Sequence, residues 1–406
     1  MSKRPIKILC AGLSWPAETF LTRLIKGLAD DGAEVTIACK GQPDDDWLSH
    51  PRLRWLYTPD WGSVIPARFL RFGWMMCQAV ASAPGDIRLF APYIKNVESR
   101  VERLRMWYQL LPFAGYRWDV IYFPWNFAAL NFLPLFDLNC PVVISCRGSQ
   151  INVTSVASPD SIRPAIAAGL RVTFERAAAI HCVSEAIKLE AMKYGLDPAK
   201  TRVIHPAVDV DFFSPSERSG SDDGTFRVVT TGSLLWVKGY EYALQSIRHL
   251  VDRGIAVQFD LIGEGPDRQR ILYTIHDLGL EGRVHLHGRL KPDEVRDKLR
   301  KADAFLLSSL SEGMSNAVLE AMACGLPVVT TDCGGMREAV TDGKSGFVVP
   351  VRDPMEISVA LEKLASNPHL RFQMGQDARS AVASMFDLRS QITQFGDLYR
   401  AVSEGN

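Results

Sequence analysis

The run Ala304-Phe-Leu-Leu-Ser-Ser-Leu-Ser-Glu312-Gly-Met-Ser-Asn-Ala-Val-Leu-Glu320-Ala-Met-Ala-Cys-Gly325-Leu-Pro327 reads as strand, polar turn, short helix and stop. The apolar stretch up to Ser308 suits a buried strand. Ser315 or Asn316 can cap a helix, and Gly325 with Pro327 ends it. Glu312 then falls in the loop before the helix and Glu320 on its body. The amides of Gly313, Met314 and Ser315 are expected to stand exposed above the sheet, where free N–H groups and the helix dipole attract a phosphate. Two carboxylates beside a phosphate site suit a ligand that is both anionic and rich in hydroxyls, which is the chemistry of a sugar nucleotide.

Outward from this run, apolar strand-like segments alternate with amphipathic ones. Before it lie Ile6–Cys10, Glu34–Ala38, Val120–Phe123, Pro141–Ser145, Ala179–Val183 and a strand within Thr201–Pro206. The polar stretch Ser214–Gly224 reads as a linker. Alternation restarts with Arg227–Thr231, Val257–Ile262 and Val284–Leu286, and continues past Ala304–Leu307 to Val328–Thr331 and Gly346–Val349. Repeated βα units argue for open parallel sheets, and the linker divides them into two. Ligands of such sheets bind beyond the carboxyl ends of the strands.

Composition narrows the function. In 406 residues, 46 Lys plus Arg balance 46 Asp plus Glu, which argues against a globally electrostatic nucleic-acid binder. No apolar run reaches the roughly 18 residues of a spanning helix. The basic start has too short an apolar core for a signal peptide and reads as a first buried strand. The eight cysteines form no Cys-x-x-Cys pair, so buried free thiols in a reducing cytoplasm are expected, without a zinc site. Asp44-Asp-Asp46 reads as a solvated acidic loop, and His285 and His287 as histidines sharing one strand face with no third ligand.

Further segments extend the central motif: Thr231-Gly-Ser-Leu-Leu-Trp-Val-Lys-Gly239, Leu261-Ile-Gly-Glu-Gly-Pro266, Thr331-Asp-Cys-Gly-Gly-Met-Arg-Glu338 and Asp342-Gly-Lys-Ser-Gly-Phe347. In this order they resemble the donor-binding domain of retaining glycosyltransferases of family 4, the glycosyl transferases group 1, which have the GT-B fold. Trp15-Pro-Ala-Glu-Thr-Phe20 and Val203-Ile-His-Pro-Ala-Val-Asp209 are similar to that family too. The resemblance implies an α/β chain of two facing Rossmann-like, doubly wound parallel-sheet domains. Residues 1–213 would form the acceptor-side domain and 214–385 the nucleotide-sugar domain, with a helix in 386–406 returning to the first.

It also implies roles for single residues. Glu320 would bind the ribose hydroxyls, and Glu312 would contact the transferred hexose. Gly12, Gly232, Ser233, Lys238, Arg289, Gly313, Met314 and Ser315 would line the donor, with Lys238 on the diphosphate. Three positions depart from the family pattern. Ser233 replaces an arginine that shares phosphate binding, Arg147 a histidine that faces the donor sugar, and Gln150 an aspartate. Arg147 cannot act as a base, yet it can donate to a sugar hydroxyl or phosphate.

The expected activity is transfer of a sugar from a nucleoside diphosphate to an acceptor hydroxyl with retention. No cofactor or metal is called for, and the acceptor is a glycan or lipid-linked oligosaccharide in polysaccharide or glycolipid synthesis. A sugar-nucleotide epimerase of the same fold, or a catalytically silent binding subunit, are the competing readings. Residues 61–118 carry eight Lys plus Arg against three Asp plus Glu, interleaved with apolar residues. That pattern fits either helices covering a core or peripheral contact with an anionic membrane, at its inner face for a cytoplasmic enzyme.

Overall fold

Short apolar strands separated by amphipathic helices favour parallel pairing, because each helix can carry the chain back to start the next strand in the same direction. The computed structural model, which describes residues 4–59, 65–216 and 223–405, contains two such sheets. The first holds β1 (Lys7–Cys10), β2 (Glu34–Cys39), β3 (Leu53–Tyr57), β4 (Val120–Phe123), β5 (Val142–Cys146), β6 (Ala179–Cys182) and β7 (Thr201–Val203), in spatial order β3-β2-β1-β4-β5-β6-β7. The second holds β8 (Phe226–Thr231), β9 (Val257–Ile262), β10 (Val284–Leu286), β11 (Ala304–Leu307), β12 (Val328–Thr331) and β13 (Gly346–Val349), in order β10-β9-β8-β11-β12-β13. Registers are parallel throughout, as where Val229 lies opposite both Asp260 and Phe305.

Strand order reverses at β1/β4 in one sheet and at β8/β11 in the other, the signature of doubly wound sheets. Both faces of the second sheet are covered. Phe305 and Leu307 face a core shared with Val318, Leu319 and Met322 of the helix Asn316–Ala323. Ala304 and Leu306 face the opposite core with Leu244, Ile247 and Leu361. This period of two makes each buried strand a continuous apolar run. In the first sheet, Ile8, Val35 and Ile37 pack on Leu21, Leu24, Ile25 and Leu28 of the helix Thr19–Asp30, joined by Phe395, Leu398 and Tyr399 of the C-terminal helix.

The chain separates into two compact units. One comprises Met1–Cys182, Lys188–Ile204 and Ile392–Asn406, the other Val183–Ile187 and His205–Gln391. Strand β3 escapes the sequence reading, since Arg54 interrupts an already short run whose Leu53 and Leu56 are buried. The strand sought in Thr201–Pro206 stops at Val203, ahead of the Pro206 that cannot donate to a ladder. Of the Ser214–Gly224 stretch, residues 217–222 lie outside the described residues, as do 61–64 of the basic region.

Seven of the eight cysteines are buried or half-buried, and Cys77 is exposed. Burial pushes the Cys333 and Cys324 thiols up to about 12, so both stay protonated and inert near neutral pH.

Phe305 is fully buried at the centre of the second sheet. Phe305→Ala should cost about 3–5 kcal/mol through lost burial plus a cavity. Urea unfolding followed by tryptophan fluorescence checks this; a loss below about 1 kcal/mol would contradict the packing described.

Candidate functional site

Two chain segments leave the carboxyl edge of the second sheet at its reversal point. After β8 the chain runs through Gly232 and Ser233 into a turn of 3-10 helix, Trp236–Lys238, before the helix Tyr240–Asp252. After β11 it runs through Ser308 to Ser311 into Glu312 and the helix Asn316–Ala323. Ser308 donates its hydroxyl to Lys238 O at 2.9 Å, and Leu310 N–H donates to Val237 O at 2.7 Å, so the two segments are bonded together. Across this seam Lys238 Nζ donates to Glu312 Oε1 at 2.6 Å, and buried Ser309 donates to the same oxygen at 2.7 Å. The side chains of Lys238 and Glu312 are 21% and 11% exposed, so the pair lies at the floor of the crevice rather than on the surface.

The flanking loops are held against this pair. Tyr240 donates to Gly232 O at 3.2 Å; burial, and secondarily the Glu312 carboxylate, push its phenol far up, so it remains a donor. Gly263, after β9, has φ +147°, and a Cβ there would stand 1.9 Å from Gly232 O, so only glycine lets these loops meet. Gly334, after β12, lies as close to the other loop: a Cβ would sit 2.0 Å from Glu312 O. Gly313 O accepts from Gly335 N–H at 2.8 Å and from the Ser184 hydroxyl at 3.0 Å.

One expectation is corrected here. Gly313, Met314 and Ser315 are buried rather than exposed: the Gly334–Gly335 turn lies against Gly313, and Met314 joins the core beneath the sheet. Ser315 is the residue before the helix, but its side chain makes no capping bond. Glu320 is half-buried on the helix body, and Arg289 is exposed on the loop after β10. The structure therefore brings Gly232, Ser233, Lys238, Glu312 and Gly313 together. It places Arg289 on a neighbouring loop, where Gly263 N–H donates to Gly288 O at 2.8 Å. The Lys238–Glu312 contact itself was missed, since each residue was read separately. So were Ser309 and Tyr240, although hydroxyls directly after a buried strand and a turn glycine are a usable signal.

Glu338 organises another part of the second unit. Its carboxylate accepts from Glu185 N–H at 2.9 Å, Ala186 N–H at 3.0 Å and His205 Nε2 at 3.0 Å. Burial alone would raise its pKa, but these bonds hold it below the usual carboxylate range.

Gly12 and Arg147 belong to the first unit, each beyond the carboxyl end of a strand. Gly12 follows β1 with φ +73°, and a Cβ there would meet Ala128 Cβ at 2.5 Å. Arg147 follows β5. It donates Nε–H to Pro124 O at 3.2 Å and Nη2–H to Tyr122 Oη at 3.0 Å, with its guanidinium 4.6 Å from the Phe20 ring centroid. A carbonyl, a phenol and an aromatic face hold this arginine, in place of the carboxylate that a plain structural role predicts. Tyr122 leads into a buried chain: its Oη lies 2.8 Å from Ser145 Oγ, which lies 2.7 Å from His181 Nδ1, and His181 Nε2 lies 2.8 Å from Ile204 O. A histidine inside the apolar run Ala179–Cys182 was the sequence signal for this network. Gln150 Oε1 accepts from Phe127 N–H at 3.0 Å.

The remaining candidates have structural partners. Asp44 caps the short helix Asp45–Leu48, and Asp46 pairs with Lys26 at 2.7 Å. His287 pairs with Asp260 at 2.6 Å, its ring 6.4 Å from that of His285.

The Lys238–Glu312 contact makes a direct prediction for the unliganded protein. A double-mutant cycle with Lys238→Met and Glu312→Gln should give a coupling of about 0.5–3 kcal/mol in unfolding free energy, since each single change strands the other group. Additive effects in urea denaturation would show that the two do not interact.

The family profile described as Glycosyltransferase Family 4 matches residues 17–212, and that described as Glycosyl transferases group 1 matches residues 213–381. Alpha-D-kanosaminyltransferase of Streptomyces kanamyceticus is 30% identical over 186 residues, 46% of this chain and 48% of that protein. The putative colanic acid biosynthesis glycosyltransferase WcaL of Salmonella typhimurium is 31% identical over 216 residues, 51% of this chain and 53% of that protein. The chain thus spans about half the length of the curated relatives it matches. Among solved structures, sucrose-phosphate synthase of Thermosynechococcus elongatus superposes with a TM-score of 0.75 at 18% identity, covering 99% of this chain and 100% of that one. Anabaena HepE in complex with UDP superposes with 0.71 at 16% identity, covering 98% and 100%. These two likenesses establish the fold. With two doubly wound parallel sheets and matches to both halves, the chain belongs to the group 1 glycosyltransferases of the GT-B fold.

Proposed function

We propose that this protein transfers a sugar from a nucleoside-diphosphate-sugar to an acceptor hydroxyl with retention at the anomeric carbon. The observation that carries this reading is the Lys238–Glu312 pair at the β8/β11 reversal point, framed by glycine loops that admit close backbone approach. That is where open α/β sheets bind nucleotides. Lys238, with the nearby Ser233 amide, would receive the diphosphate. Glu320 would accept hydrogen bonds from the ribose diol, and Glu312 would stand by the hexose. Arg289, exposed on the loop after β10, would flank the base. That structures of HepE hold UDP, UDP and glucose, or UDP-glucose supports a donor of this class.

In the proposed reaction the bond between the anomeric carbon and the diphosphate oxygen breaks. The acceptor oxygen bonds to the same carbon on the same face, and its proton passes to the departing diphosphate. No protein base is required, which accommodates Arg147 at a position where the family carries histidine. Lys238 would neutralise charge growing on the leaving group, and Arg147 would donate to a sugar hydroxyl or phosphate oxygen. We read the transfer as independent of a metal, with Lys238 and backbone amides supplying the positive field.

For the acceptor, a hollow of about 520 Å³ lies in the first unit beyond the ends of β1, β2 and β3, lined by Trp15, Lys40, Thr58, Gln109 and Phe132. Aromatic faces beside hydroxyl and amide groups suit a sugar ring. With a relative named for colanic acid biosynthesis, this supports an acceptor in polysaccharide or glycolipid synthesis. We place the enzyme in the cytoplasm, meeting a lipid-linked acceptor at the inner face of the membrane. Among the described residues no helix is long and apolar enough to cross a membrane.

Calorimetric titration with the diphosphates and nucleosides of uracil, guanine, thymine and adenine tests the assignment. Lys238→Ala should weaken the preferred diphosphate about tenfold or more and the matching nucleoside little, because only the diphosphate needs the cation. Equal losses for both would remove Lys238 from the phosphate site. Donor hydrolysis should be unchanged by EDTA. Binding without any turnover would identify a silent subunit, and a changed sugar an epimerase.

A further inference from the structure

The helix Ile65–Ser82 is apolar on the side turned away from its neighbours. Leu70, Trp74, Cys77 and Ala81, spaced i, i+4, i+7 and i+11, form one exposed stripe, with Phe69 and Val80 beside it. Leu70 is 78% exposed, Trp74 66% and Phe69 56%. The opposite side holds buried Ala79 with half-buried Phe72, Met75 and Met76, and packs on the helix Pro84–Lys95 and the turn Leu111–Phe113. Core packing therefore accounts for one side of this helix and leaves the other without a partner among the described residues.

Charge indicates what would cover it. The whole chain is neutral, yet residues 65–118 carry eight Lys plus Arg against three carboxylates. One carboxylate, Asp86, is buried and bound to Arg117, and another, Glu102, faces Arg105 at 3.6 Å. On the adjacent helix Pro84–Lys95, Arg88 and Lys95 are seven residues apart on one face, exposed and without a partner among the described residues. Arg100, opening the next helix, is likewise exposed. The stripe and these cations belong to neighbouring, mutually packed helices of one segment, so its charge surplus favours a negatively charged surface over a neutral one. An anionic bilayer supplies an apolar interior and a negative headgroup layer together, and tryptophan favours the boundary between them.

We infer that the helix Ile65–Ser82 seats the first unit on an anionic lipid surface through Leu70, Trp74 and Phe69, with Arg88, Lys95 and Arg100 drawn to the headgroups. The inference rests on the reading of a lipid-linked acceptor and names the surface on which that acceptor is met. The helix lies in the interface and does not span it.

Co-sedimentation of the full chain with vesicles tests this. Phosphatidylcholine vesicles containing phosphatidylglycerol should bind the protein, and pure phosphatidylcholine should not. Leu70→Ser with Trp74→Ser should weaken anionic-vesicle binding about tenfold or more by removing inserted apolar surface. Arg88→Ser with Lys95→Ser should weaken it and flatten its salt dependence. Melting temperature and donor hydrolysis should be unchanged in both variants, since the residues are exposed and lie outside the second unit. Failure of the wild type to bind anionic vesicles would overturn the inference, as would unchanged binding by the Leu70/Trp74 variant. A dimer in light scattering that this variant abolishes would also overturn it, by assigning the face to a second copy. Vesicle binding that persists while no sugar nucleotide stabilises the protein would instead refute the proposed function and leave the lipid surface standing.

Discussion

Where β8 and β11 lie side by side, the chain leaves their carboxyl ends toward opposite neighbours, and an ion pair closes the gap. Lys238 comes with one connection and Glu312 with the other, 2.6 Å apart and mostly shielded from water. Ser309, Ser308, Tyr240 and the glycines at 263 and 334 serve this junction, bonding its loops or leaving room for them. A diphosphate entering here meets a cation that already has a counter-charge. It would have to share or displace Glu312, and Ser233 brings no second cation. Binding on the proposed reading then depends on backbone amides and on how far Lys238 can turn toward the phosphates, because a fixed carboxylate beside an incoming anion costs energy. On that same reading the carboxylate would offset positive charge gathering at the anomeric carbon.

The first unit solves a different problem. A guanidinium stands at the end of β5, and its planar donors are fixed by Tyr122, Pro124 and the Phe20 face. Tyr122 is anchored in turn by Ser145 and His181, with Phe395 and Tyr399 of the C-terminal helix packed against it. The last helix thus has a reach beyond closing the core: its aromatic side chains support the residue that orients Arg147. An arginine so held is a hydrogen-bond donor of fixed direction.

Much of the fold was legible because buried parallel strands are compact apolar runs, and Ala304–Leu307 followed by a polar turn has few alternative readings. Strand β3 was not legible, since Arg54 breaks its pattern and only pairing with β2 reveals its alternation. In the candidate site, motif spacing singled out Gly232, Lys238 and Glu312, which the structure brings together. It could not show that Lys238 and Glu312 touch, because 74 residues separate them and only the sheet order makes β8 and β11 neighbours. The burial of Gly313 was hidden for a similar reason: the turn that lies against it comes after β12. On the helix Ile65–Ser82 the sequence showed an apolar and basic mixture, and only packing separated its inward side from the exposed one.

The central claim is that the β8/β11 crevice is a sugar-nucleotide site read by its two glutamates. Thermal unfolding in the presence of UDP-, GDP-, dTDP- and ADP-sugars measures this most directly, since a ligand of the native state raises the melting temperature by mass action. The account predicts that one of these donors stabilises the wild type. Its shift should be largely lost in Glu320→Gln and retained in Glu312→Gln, whose defect should lie in turnover. No stabilisation by any donor, or an undiminished shift in Glu320→Gln, would contradict it.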